Sequence, residues 1–132
     1  MKHHVYLSAG FFGFANLGGI TYFHHVREFL EETLLEMGIE AEIIYVPTLP
    51  TASIRRRAYR LLETVAVTAG SDDGPIHLIG HSTGGLDARL FVTPGASLPG
   101  ELDLERYAGR VRSVVTVATP HLGTPMASFF NS

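Results

Sequence analysis

Glycines stand two residues before and two residues after a serine in the segment Gly80-His81-Ser82-Thr83-Gly84. A serine hydroxyl is a weak nucleophile until an adjacent base takes its proton. To be attacked through, it must also project clear of the backbone. The Gly-x-Ser-x-Gly spacing serves that end, because the glycines remove side chains from a sharp strand-to-helix turn that carries the hydroxyl at its apex. A helix starting at the turn presents N–H groups beside the hydroxyl, and the Thr83 N–H can then stabilise an oxyanion. The bare pattern carries little weight in a chain of 132 residues, since glycine and serine are both common. Its surroundings add the weight: Ile76 to Ile79 reads as a strand leading in, and Gly84 to Phe91 as a helix leading out. The competing reading is a glycine-rich turn around an inert serine. His81 is expected to pack or hydrogen-bond rather than act as the base, because the residue beside the nucleophile on such a turn points elsewhere. Asp87 and Arg89 are expected to fix the following helix by polar contacts.

A second unusual segment, Ala9-Gly10-Phe11-Phe12-Gly13-Phe14, follows the first strand pattern. A loop there can supply a second backbone N–H to an oxyanion, with Phe11 the candidate donor. Phe11, Phe12, Phe14 and Phe23 could together wall an apolar acyl pocket, with Phe12 and Phe14 as substrate-binding candidates. Each of these aromatics taken singly is more simply explained as core.

Positioning such loops is the work of the elements between them. Val5 to Leu7 is a short apolar run. From Tyr22 to Met37 the apolar residues recur at helical spacing, with Gly38 placed to end the helix in a left-handed conformation. Ala41 to Val46 reads as a strand stopped by Pro47. A helix capped by Thr51 then shows Ile54, Ala58, Leu61, Leu62, Val65 and Ala69 on one face. After the Ile76 strand and the Gly84 helix comes a Pro/Gly loop from Thr93 to Gly100. The β-branched run Val111 to Val117 is a further strand, and Thr119 to Pro125 is loop. Strands alternating with helices predict parallel βαβ units in a single domain over 1–132, a three-layer α/β/α arrangement with a mostly parallel sheet. Ligands in such sheets bind beyond the carboxyl ends of the strands, where both unusual loops fall.

Composition narrows the function classes. The chain is 45% hydrophobic and 17% charged, which suits a globular domain, and its net charge of −3 gives no broad attraction to nucleic acid. The run Arg55-Arg56-Arg57 is expected to be a solvated helix face rather than a phosphate site. Without cysteine there is no disulfide, thiol nucleophile or Cys-based metal site. No apolar run approaches the roughly 18 residues of a spanning helix. Met1-Lys2-His3-His4 leads straight into a strand with no apolar leader, so a cytoplasmic location is expected.

Taken together these segments resemble the α/β-hydrolase lipases and esterases of bacteria, in particular the triacylglycerol lipase group. Ala9-Gly10-Phe11-Phe12-Gly13-Phe14 is similar to that family's His-Gly-x-x-Gly-Phe oxyanion loop, with Ala9 in place of the His. Gly80 to Arg89 is similar to its extended elbow, and Thr119-Pro120-His121-Leu122-Gly123-Thr124-Pro125 to its Thr-Pro-His-x-Gly-Thr-Pro segment. The resemblance implies an α/β-hydrolase fold and ester hydrolysis through an acyl-enzyme on Ser82. It implies Phe11 and Thr83 as backbone oxyanion donors, an ester or lipid substrate, and no metal or organic cofactor. His121 is carried over as a structural anchor. In this fold the triad runs Ser, acid, His, and neither the acid nor the His is found after Ser82. The expectation is therefore the N-terminal part of a longer enzyme, or a product truncated before the triad is complete. In that case Val111 to Val117 is an exposed edge able to pair with another chain. Two other readings stay open: a non-catalytic interaction module that keeps the fold, and an acyltransferase, thioesterase or amidase built on the same elbow.

Overall fold

The computed structural model describes residues 1–10, 17–47, 49 and 51–123, with backbone alone for 17–22. Its elements are β1 (His3–Ser8), α1 (Leu17–Glu36), β2 (Ala41–Tyr45), α2 (Ile54–Ala69), β3 (Ile76–His81), α3 (Gly84–Phe91), α4 (Leu104–Ala108) and β4 (Val111–Val117), alternating as the patterns predict except for α4, which those patterns do not mark. The four strands form one sheet in the order β2-β1-β3-β4, and every pairing is parallel.

Alternation along the strands sends side chains to two faces, and helices cover both. Val5, Leu7 and Ile43 face α1, where Phe23 is buried and Val26, Leu30 and Leu34 pack alongside. Tyr6, Ile76 and Leu78 face the other way. They meet Leu61, Leu62, Val65 and Ala69 of α2, Ala88 and Phe91 of α3, and Tyr107 of α4. The architecture is thus α/β with a parallel sheet between helical layers.

Several local details differ from the sequence expectation. The helix expected from Tyr22 begins at Leu17, because Gly18 and Gly19 weaken a helix without forbidding it. Its end is as expected: Gly38 has φ +72°, its N–H reaches the Leu35 carbonyl, and the Ile39 N–H reaches the Leu34 carbonyl. Ser53, and not Thr51, caps α2, its hydroxyl accepting the Arg56 N–H at 3.3 Å. The short α4 carries no long apolar period; the Asp103 carboxylate caps its Glu105 N–H, and Tyr107 anchors it to the core.

The amino ends of the strands are tied by a polar cluster. Arg110 donates to the carbonyls of Ala69 and Gly74 and to Asp72, and Asp72 also accepts from buried His4 and from the Gly74 N–H. These bonds fix the link between α2 and β3. At one lateral edge of the sheet, β4 has no strand on its outer side among the described residues. Val114 and Val115 point to opposite faces and are 38% and 48% exposed, so neither face of this strand is fully covered. No helix among the described residues is long and apolar enough to cross a membrane.

Leu62 is fully buried where α2 meets the sheet. Leu62→Ala is expected to lower the unfolding free energy by about 2–5 kcal/mol in urea titrations, with the denaturant slope unchanged.

Candidate active site

β1, β3 and β4 end side by side, with Ser8 opposite Gly80 and His81 opposite Val117. Ser82 comes directly after β3 and has φ +56°. A left-handed backbone costs a non-glycine residue on the order of 1–2 kcal/mol and persists only where its neighbours impose it. Here the Ser82 N–H donates to the Val117 carbonyl at 2.8 Å, and the Ser82 carbonyl accepts the Gly85 N–H at 3.1 Å. The turn is therefore pinned to β4 on one side and to the start of α3 on the other.

The glycines serve close approach. A Cβ on Gly80 would run into the Gly85 backbone, and one on Gly84 would run into the Ser8 carbonyl. Both are needed for α3 to sit directly on the ends of β3 and β1. Gly10, the last described residue before the loop that follows β1, lies against the elbow. A Cβ on Gly10 would lie 2.7 Å from both the Ser82 Cβ and the Thr83 nitrogen. The chain leaving β1 thus rests against the elbow. Phe11, Phe12 and Phe14, expected to supply an oxyanion donor and a pocket wall, lie outside the described residues. The segment after β4 approaches from the other side, since a Cβ on Gly85 would strike the Thr119 side chain. Ala118, between Val117 and Thr119, has φ +52°, a second left-handed turn beside the first.

One residue in the expected solvated face behaves otherwise. Arg57 is only 6% exposed, and its guanidinium lies under the elbow. Nε and Nη2 both reach the Asp87 Oδ2, at 3.1 and 3.0 Å. Nη1 donates to the Thr83 hydroxyl at 3.1 Å, and Nη2 to the Ala9 carbonyl at 3.2 Å. Arg55 and Arg56 stay exposed, as the sequence suggested. The helical period explains the split: Arg57 falls one position before Ala58 and four before Leu61, on the buried stripe. Asp87 anchors α3 as expected, whereas Arg89 is exposed and lies outside this network. The Thr83 hydroxyl does not cap α3 but accepts from Arg57.

Asp87 carries an electrostatic cost. Its Oδ2 takes the Arg57 bonds, while Oδ1 is buried without a hydrogen-bond partner. Burial pushes this carboxyl up to about 7, against the opposing pull of Arg57. The Ser8 hydroxyl, 3.5 Å from Oδ2, also pulls the other way, and burial outweighs both.

The histidines near these strand ends and on α1 make other contacts. The His81 ring meets Phe23 edge-on, with centroids 6.2 Å apart, which fits the expected packing role and makes Phe23 core. His121 is exposed and its Nε2 lies 3.2 Å from the Thr116 hydroxyl on β4, an anchoring contact. His24 pairs with Glu28 on the exposed side of α1, beside His25. None of these contacts involves Ser82. Among the described residues no group of three or more His, Asp or Glu could hold a metal ion.

Asp87 also gives a pH dependence with a definite sign. Its folded pKa lies above its ordinary value, so the folded state holds the proton more tightly than the unfolded chain. Its favourable contribution is complete below about pH 4 and is lost as pH rises through about 7. The stability of the wild type relative to Asp87→Asn is expected to fall over that interval, by on the order of a few kcal/mol, and to level off above about pH 8. Urea unfolding of both proteins across this range measures it; a difference that rises with pH would show the carboxyl to be depressed instead.

No protein-family model matches the chain, and no curated protein matches it either.

Proposed function

We propose that the protein is a serine carboxylic-ester hydrolase of α/β-hydrolase type, lipase-like, acting through an acyl-enzyme on Ser82. The observation that carries this reading is the left-handed Ser82 at the strand-to-helix turn, with the chain at Gly10 pressed against it. Strained, well-determined backbone at the carboxyl edge of a parallel sheet is where such chemistry is placed.

In this mechanism the Ser82 Oγ attacks the ester carbonyl carbon, and its proton passes to a base. The carbonyl oxygen becomes an oxyanion held by the Thr83 N–H and a second N–H from the loop after Gly10, with Phe11 the candidate donor. Collapse expels the alcohol, which takes up the proton, and water then hydrolyses the acyl-serine. On this reading no described residue is assigned as the acid or the histidine of the triad. The histidine contacts described above do not involve Ser82. The same observation favours one alternative, a module that keeps the fold without the chemistry. Among the described residues β4 has no strand on its outer edge, which further supports self-association through strand pairing.

A missing base can be replaced by a diffusible one. The folded chain is therefore expected to react with an alkyl fluorophosphonate at Ser82, faster with added imidazole, and Ser82→Ala should abolish the adduct while leaving the fold intact. Peptide mass spectrometry locates the adduct. A folded chain that stays unlabelled with imidazole present would remove the hydrolase reading and leave the non-catalytic one.

A further inference from the structure

We infer that Arg57 is a positioning residue for the oxyanion site, a role that deepens the hydrolase reading and rests on it. The two described sides of that site come from different parts of the chain: one from Ala9 and Gly10 as the chain leaves β1, the other from the start of α3. Arg57 bonds to both of them, and the Ser8 hydroxyl adds a longer link to Asp87 at 3.5 Å. Its Nη2 holds the Ala9 carbonyl, which belongs to the same peptide plane as the Gly10 N–H. That bond orients the plane from which the chain runs on to Phe11. Its Nη1 holds the hydroxyl of Thr83, the residue whose own N–H is the other candidate donor. Both nitrogens belong to one rigid, planar group, so the separation of the two sides is set by covalent geometry.

Asp87 completes the device. Its Oδ2 takes Nε and Nη2 together, which fixes the plane of the guanidinium and hence the direction of the remaining N–H groups. Stability alone does not account for the pair. A buried ion pair is often no better than apolar residues of similar volume, and here one carboxylate oxygen is left bare. A purely structural link between α2 and α3 could be apolar. A link that must also grip a carbonyl and a hydroxyl at the elbow cannot be, and lysine cannot replace it, because an ammonium is a point charge without the planar fork.

Two variants separate positioning from folding: Arg57→Lys, which keeps the charge opposite Asp87, and the apolar pair Arg57→Met with Asp87→Leu, which removes the ion pair and preserves packing. Each is read by the rate of imidazole-supported fluorophosphonate labelling at Ser82, and by amide hydrogen exchange over residues 8–10 and 82–84. Circular dichroism and cooperative unfolding report the fold. Both folded variants are expected to label on the order of 10- to 100-fold more slowly than the wild type. Exchange should rise at Gly10 and Thr83 and stay unchanged at the amino ends of the strands. Wild-type labelling and exchange in Arg57→Lys would overturn the proposal, since charge alone would then suffice. So would wild-type behaviour in the apolar pair, which decides the matter if Arg57→Lys does not fold. If the wild type itself fails to label, the hydrolase reading falls and the exchange data alone decide whether Arg57 orders the two segments.

Discussion

Ser82 must hold a left-handed backbone angle while carrying a full side chain, and the carboxyl edge of the sheet is arranged around that requirement. The cost is on the order of 1–2 kcal/mol, small enough for a few well-made contacts to offset. The Val117 carbonyl receives the Ser82 N–H, so the register of β3 against β4 fixes the turn. The absent side chains at Gly80 and Gly84 let α3 and the end of β1 close on it. Parallel pairing brings the ends of β1 and β4 beside that of β3, and the segments after both close on the elbow. A mispaired β4 would therefore disturb Ser82 as directly as a change at the elbow itself.

Beneath this edge lies the buried pair of Arg57 and Asp87. Breaking one partner of such a pair leaves an uncompensated charge, which costs about 3–5 kcal/mol. That asymmetry makes the pair a strict constraint even where its net contribution is small. It also divides the molecule by function. The amino ends of the strands have a polar cluster of their own, around Arg110 and Asp72, whose bonds go mainly to carbonyls of the α2–β3 link. The guanidinium at the carboxyl ends instead reaches the segments on either side of the serine. The two clusters have similar chemistry but different neighbours, and the neighbours decide what each can do.

Much of the frame is legible in the residues. The strand–helix alternation, the Gly38 terminus, the helix from Gly84 to Phe91 and the strand from Val111 to Val117 follow from local pattern, because each depends on residues close in sequence. The glycines of the elbow are legible for the same reason. Arg57 is not. Within Arg55-Arg56-Arg57 charge points to solvent, and only the helical phase set by Ala58 and Leu61 places the third arginine on the buried stripe. Its partner lies 30 residues on, a pairing that only the packing of α2 against α3 creates. Reading the basic run residue by residue against that phase would have singled it out. Ala118 is hidden for another reason: no glycine marks its left-handed turn. Ser53 displaced Thr51 as the cap because the two candidates are equivalent in chemistry and only the chain path chooses between them.

The account turns on whether the Ser82 hydroxyl forms a covalent bond to an acyl group. The most direct measurement is acid-quenched mass spectrometry of the chain after exposure to an activated short-chain ester with imidazole present. The account predicts one acyl group per chain, located on the peptide containing Ser82 and preserved by the acid quench. Acylation confined to lysine side chains or the amino terminus, with Ser82 unmodified in a folded chain, would contradict it.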